Sequence, residues 1–414
     1  MGQSSETVHQ PVTLQGTITV PRTCFCLLLL AALPVQGNPD IASTAQEALD
    51  WMLNEEYARA HALFGSLITA YPERPEGYLG RAMAYWDASL ILEDETQYDR
   101  EIHRLIKQAI RVSEDRIKAH GESAEMFFWL GSAYGLRAGL GMVRGSIFEG
   151  AVDGLRSEEF LSATLALDST LVDAHFGLGL SDYVIARKPR LLRMVNRFFS
   201  LPPGDRKGGL ARLDRVAREG TYCHRHALSS RALIELYYEK DAGEARRRFG
   251  DLIRRYPNSI NYRVRYLDAL FALTVKGKQD NRQTLIDSVQ SIRNLAQQRG
   301  WKLDRWTHTK LTFIEGLGCY LTGQTDRAEE HMEAYVQQAE KKSWLLGPAE
   351  LILGKLADLR GNRQRAIVHY KRALKQEDVW GTHARAGRYL KRPFSGQEPV
   401  QRPPDLVRRY PERP

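Results

Sequence analysis

The chain has 414 residues, 43% of them hydrophobic and 26% charged, a mix that suits a globular protein with a large core and excludes a chain disordered throughout. A formal charge of +9 permits an acidic partner. Arg and Lys are nonetheless spread among carboxylates, as solvated helix faces require, so charge alone does not mark a nucleic-acid binder.

The first element is CFCLLLLAALPV, Cys24 to Val35, an uncharged apolar run of about a dozen residues between Arg22 and QGNPD. Its length suits the hydrophobic region of a signal peptide and falls short of the roughly 20 residues that cross a bilayer as a helix. Val35, Gln36 and Gly37 offer a cleavage pattern, which predicts a signal peptide over 1–37, a mature chain from Asn38 and an exported protein of the periplasm or cell envelope. The stretch before Arg22 is long, carries Glu6 and has no Lys, so a true start near Val20 is the alternative. Cleavage would remove Cys24 and Cys26, leaving Cys223 and Cys319, too few for a disulfide framework and suited to small buried positions.

Beyond residue 40 helical apolar periodicity alternates with short breaks, and no run alternates as a strand does, so the chain reads as almost all α. The stretch EEYARAHALFGSLITAYP sets Tyr57, Ala60, Phe64, Leu67 and Pro72 at helical spacing, and its Glu55-Glu56 pair reads as a solvated turn. WLGSAYG, with Trp129, Leu130, Gly131 and Tyr134, reads as half of a first helix. Residues 135–154 hold six glycines. They form either helices packed closely through Gly135, Gly139, Gly141 and Gly145, or a flexible element that a ligand approaches. The Gly-Lys-Ser/Thr ending of a phosphate loop is missing.

Farther along, HFGLGLSDY supplies Leu178 and Gly179. A basic amphipathic stretch then sets Lys188, Arg190, Arg193 and Arg197 among Leu191, Leu192, Met194, Val195, Phe198 and Phe199. Its apolar side suits either inter-repeat core or contact with anionic lipid or a partner. Cys223, His224 and His226 form a compact set of metal-ligand types, but no second pair stands at zinc spacing, and no metal site is predicted. EKDAGEARRRFGDLIRRYP repeats the helical pattern with Asp241, Ala245, Phe249, Leu252 and Pro257, and FIEGLGCYLTGQTDRAEEHM does so with Gly316, Gly323 and Ala328. Tyr335 there stands where a small residue is expected.

The clearest unit is LLGPAELILGKLADLRGNRQRAIVHYKRAL, with Leu353-Gly354 in a first helix, Gly361 in a turn, and Ala366, Tyr370 and Ala373 in a second. This unit resembles the tetratricopeptide repeat, a 34-residue helix-turn-helix. The resemblance implies an α-solenoid forming a right-handed superhelix, whose first helices line a groove for extended peptides or partner helices. Tyr-Pro, at Tyr71-Pro72 and Tyr256-Pro257, reads as the stop of a second helix, because Pro cannot continue it. About eight hairpins are expected over 41–376 within a solenoid spanning 38–390. A capping helix is expected at 380–390, and an extended or disordered Pro/Arg-rich tail at 391–414, in which Tyr410-Pro411 echoes the stop.

No Gly-x-Ser-x-Gly elbow, His-Glu-x-x-His helix or Rossmann fingerprint is present, so neither catalysis nor a cofactor is predicted. Trp86, Trp129, Trp301, Trp306, Trp344 and Trp380 fall where a solenoid core wants bulk. The groove candidates are the first-helix positions Tyr78, Arg81, Tyr85, His175, Asp182, Arg263 and Tyr266, and Lys188, Arg190, Arg193 and Arg197 form a candidate basic surface. The expected function is a non-catalytic scaffold for a protein or peptide partner. The alternative is a cytoplasmic or membrane-surface adaptor whose basic face takes acidic ligands, nucleic acid or anionic lipid.

Overall fold

A computed structural model describes residues 39–89, 96–187, 203–275 and 281–396. Among them are seventeen α-helices and no strand. They are α1 (Pro39–Leu53), α2 (Tyr57–Ala70), α3 (Glu76–Ser89), α4 (Asp99–His120), α5 (Ala124–Arg144) and α6 (Ile147–Leu167). The middle of the chain gives α7 (Ala174–Ala186), α8 (Arg206–Glu219), α9 (His224–Ile234, continued by a π-turn at Glu235–Glu239), α10 (Ala242–Arg255), α11 (Ile260–Val275) and α12 (Arg282–Gln298). Last come α13 (Arg305–Leu321), α14 (Thr325–Gln338), α15 (Leu346–Leu359), α16 (Arg363–Ala373) and α17 (Thr382–Lys391). The helices pair in sequence into hairpins, each packed on the next, so the chain is an all-α solenoid of helix-turn-helix units. No helix among the described residues is long and apolar enough to cross a membrane.

Small residues sit at the crossings. A Cβ on Gly80 would overlap the Phe64 ring of α2, and one on Gly354 the Tyr370 ring of α16. One on Gly131 would lie 2.7 Å from Leu161 of α6. These contacts show why the repeat unit needs glycine in a first helix and bulk in the facing second helix. Tyr335, the apparent misfit, is buried, donates to or accepts from Ser343 Oγ at 2.6 Å, and meets Phe313 edge to face. Tyr71 and Tyr256 cap α2 and α10, their backbone N–H groups returning to Leu67 and Leu252 at 2.9 and 2.8 Å.

The glycine-rich stretch divides its labour. Gly141 faces Gly150 across α5 and α6, where a Cβ would lie 3.4 Å from the Gly150 Cα, whereas Gly145 adopts a left-handed φ of 87° and ends α5 instead of packing. Gly135, Gly139, Gly150 and Gly154 also line a cavity of about 110 Å³.

The core runs along the chain as three clusters, one from Ile41 to Leu273, a second from Ile260 to Leu356, and a third under α17. Phe394, in the stretch expected to be an extended tail, is buried in that third cluster, and its N–H donates to Asp358 Oδ2 at 2.8 Å. An aromatic ring with a satisfied N–H docks there because α17 leaves apolar surface on Tyr389. The segment 1–37, the basic residues Lys188, Arg190, Arg193 and Arg197, and Tyr410-Pro411 lie outside the described residues.

After five hairpins the solenoid has turned far enough for the α1–α2 connection to meet those on either side of hairpin α11–α12. Glu55, at a left-handed φ of 61°, is 2% exposed. Its carboxylate accepts from Ser259 Oγ and from the N–H groups of Ile260 and Asn261 at 2.8, 2.8 and 2.7 Å. These are the first groups of α11, which no intrahelical carbonyl can satisfy, so Glu55 caps a helix 205 residues away. Tyr256 donates to Asp50, Asn258 pairs with Asn54 and Glu56, and Arg299 reaches both Glu56 and the Glu55 carbonyl. The Glu55-Glu56 pair is therefore not a solvated turn. Its first member is a buried cap and its second an ion-pair partner.

Candidate functional site

Helix α3 drives Leu79, Ala82, Met83 and Trp86 into the core and leaves Tyr78, Arg81 and Tyr85 half-buried along one stripe. That stripe faces the flanking second helices α2 and α4. The Tyr78 hydroxyl donates to the Pro72 carbonyl at 3.0 Å. Tyr85 packs between His61 of α2 and Tyr98 at the start of α4, with ring centroids 4.0 and 5.0 Å away. The Arg81 guanidinium stands over the Tyr85 ring, 5.9 Å from its centroid. Burial, aided by Arg81, pushes the His61 pKa down to about 4, so that ring is neutral near pH 7. Among the described residues Arg81 has no ion-pair partner, and its Nε is buried without a hydrogen bond. Arg104 of α4 lies within electrostatic reach of Tyr78 and Tyr85, and Glu101 within reach of Arg81.

The same geometry returns 185 residues on. Arg263 occupies the place of Tyr78 and donates to the Pro257 carbonyl at 2.8 Å, while its other arm donates to Ser291 of α12 at 2.9 Å. Tyr266 occupies the place of Arg81. A Cβ on Gly250 would meet Tyr266 at 3.7 Å, as one on Gly65 would meet Arg81 at 3.8 Å. The two second helices share Phe-Gly-x-Leu-Ile-x-x-Tyr-Pro, at Phe64 to Pro72 and Phe249 to Pro257. The repeated mid-helix glycine was the signal for this shared trough, and spacing of apolar residues alone passes over it.

His175 and Asp182 lie on α7 against α8. Arg212 and Arg215 point at the two ring nitrogens of His175 from 3.2 and 3.1 Å, and Arg212 also pairs with Asp182 at 3.2 Å. Burial and the two guanidinium groups lower the His175 pKa. Burial raises that of Asp182 and, with Asp182 beside it, that of Glu158. The seven sequence candidates thus fall into three separate troughs between second helices. His61, Gly65, Arg104, Arg212 and Arg215, all on second helices, complete those troughs.

The Cys223 thiol is buried and pushed up by that burial, and Asp173 beside it accepts from the N–H groups of Thr221, Tyr222 and Cys223. His226 is held neutral, its pKa pushed down to about 3 by burial. No group of three or more metal-ligand types comes together among the described residues.

Hairpins with glycine at the crossings, Tyr-Pro helix ends and a core strung along the chain define a tetratricopeptide-like solenoid. No family model matches the chain, and no curated protein matches it. It is similar to solved structures of repeat proteins. The human IFIT1 dimer with PPP-AAAA is 16% identical over 78% of this chain and 69% of that one, with a TM-score of 0.39. Yeast Tom70 is 9% identical over 83% and 86%, with a TM-score of 0.35. A tetratricopeptide repeat protein from Parabacteroides merdae is 12% identical over 74% and 98%, with a TM-score of 0.31. Likeness at this level says nothing of what this chain binds.

Proposed function

We propose that the chain is a non-catalytic scaffold that holds a protein or peptide partner against its solenoid surface, with the trough of α2, α3 and α4 as the contact. The observation that carries this reading is Arg81, a guanidinium without an ion-pair partner among the described residues, held over Tyr85 on a rigid helix. Its Nε is out of a partner's reach, but the guanidinium as a whole is only half-buried, so its terminal nitrogens can meet a partner's carboxylate. The buried Lys310 and His369, by contrast, have structural partners in Asp268 and Glu350. This favours a scaffold over an enzyme.

A photoreactive residue at Tyr78 tests the reading in the source cell. A defined partner should cross-link there and be lost on Arg81→Ala, with the melting temperature held. Cross-linking that ignores Arg81 would remove the trough as the contact. The run Cys24 to Val35 supports export, so the partner would belong to the periplasm or cell envelope. Intact mass of the native protein decides this: a species starting near Asn38 in the envelope fraction is expected, and an uncleaved cytosolic chain would overturn it.

A further inference from the structure

We infer that the trough of α2, α3 and α4 receives an extended acidic segment of the partner, whose carboxylates meet Arg81 and the outward basic stripe of α4. This rests on the scaffold reading and names the partner chemistry at the same site. Helix α4 sets Arg100, Arg104, Lys107 and Arg111 at intervals of three or four residues, all exposed, so they share one outward face. From the first to the last is about 16 Å, the length of roughly five residues of extended chain. Arg104 is paired with Glu101, and Arg111 with Asp115 at 3.6 Å. Arg81, Arg100 and Lys107 have no ion pair among the described residues, so five cations against two carboxylates leave a local charge of +3.

The aromatic rings decide between an acidic peptide and a single-stranded nucleic acid. Sequence-tolerant binding of single strands needs free aromatic faces on which bases stack. Tyr85 has His61 and Tyr98 against its ring, Arg81 beside it, and Tyr98 in turn packed on Tyr85. Tyr78 is partly buried against the core cluster, with its hydroxyl held by the Pro72 carbonyl. What the trough offers freely is guanidinium and ammonium groups at helical spacing, which suit carboxylates arriving along a strand.

Fluorescence anisotropy of a labelled oligoglutamate peptide titrated with the full chain tests the inference, beside labelled oligothymidylate, at about 50 and about 150 mM salt. The peptide should bind, more weakly at the higher salt. Arg100→Glu with Lys107→Glu should weaken it at least about ten-fold, because each reversal replaces an attraction with a repulsion. Both residues are exposed and unpaired, so the melting temperature should not move. No binding of the peptide, binding that ignores the reversals, or tighter binding of the oligothymidylate would each overturn the inference. If the partner cross-linked at Tyr78 is still held by the charge-reversed chain, the acidic segment is excluded while the scaffold reading stands.

Discussion

The chain ends two second helices with nearly the same words, FGSLITAYP and FGDLIRRYP, and treats the two ends differently. At the first, Tyr71 is half-buried, Pro72 is exposed, and Arg81 of the neighbouring trough has neither an ion pair nor a hydrogen bond among the described residues, whereas Arg263 at the second, also without an ion pair, donates to Pro257 and Ser291. At the second, Tyr256 is 2% exposed and donates to Asp50, while the residues after Pro257 are clamped by Asn54, Glu55 and Glu56. Both ends stop their helices by the same backbone geometry. A local phrase therefore dictates a local shape, and topology, acting across some 200 residues, decides whether that shape is engaged or left available.

That contrast can be broken at the tyrosines. Tyr256→Ala should cost about 3–5 kcal/mol, the range for deleting a buried ring, and Tyr71→Ala no more than about 1.5 kcal/mol. Urea unfolding of the two variants measures both, and equal losses would mean that the engaged end is no better packed than the other. Glu55→Ala comes next, at about 2–3 kcal/mol, because it leaves the Ser259 hydroxyl and two N–H groups of α11 without their acceptor. A double-mutant cycle on Glu56 and Arg299 should return about 1 kcal/mol of coupling, since the pair is partly sheltered from water.

The engaged end should also respond to pH. Burial raises the Glu55 pKa to about 7, outweighing its three donors, and raises that of Asp87 to about 6. Groups raised in this way bind protons more tightly in the folded chain than in the unfolded one. Their stabilisation is complete below the ordinary carboxylate range near 4.5 and is lost as pH climbs through about 6 to 7. Relative to Glu55→Gln, the chain should therefore lose melting temperature between pH 5 and pH 8, a comparison in which the opposite contribution of the neutral, buried His61 and His226 cancels. A rise of that difference over the same interval would show that the positive end of α11 holds Glu55 as a carboxylate.

The hairpins were legible because their determinants are local. Gly131 and Gly354 announce close crossings, and Tyr-Pro announces a stop, within a single window of sequence. The role of Glu55 was not, because a Glu-Glu pair at a turn looks the same whether it faces water or a helix 205 residues away. The lining of the candidate trough was half legible. Tyr78, Arg81 and Tyr85 follow from first-helix periodicity, but His61 and Arg104 lie on other helices, and only packing brings them alongside. Phe394 escaped for a further reason: a Pro/Arg-rich composition speaks for a tail on average, while one ring can still dock.

Arg81 gives the smallest predicted effect on stability. Its charge meets no carboxylate as an ion pair among the described residues and its Nε lacks an acceptor, so Arg81→Ala forfeits only the contact of its stem and the stacking on Tyr85. A change within about 0.5 kcal/mol is expected, in either direction, because the lost packing is offset by removal of an unsatisfied buried nitrogen. Tyr266→Ala, at the equivalent place beside the engaged end, should cost about 2 kcal/mol or more, since that ring packs against both large core clusters. If Arg81→Ala proved as damaging as Tyr266→Ala, the first trough would be part of the fold's own packing, and its free guanidinium would no longer distinguish a contact surface from a core.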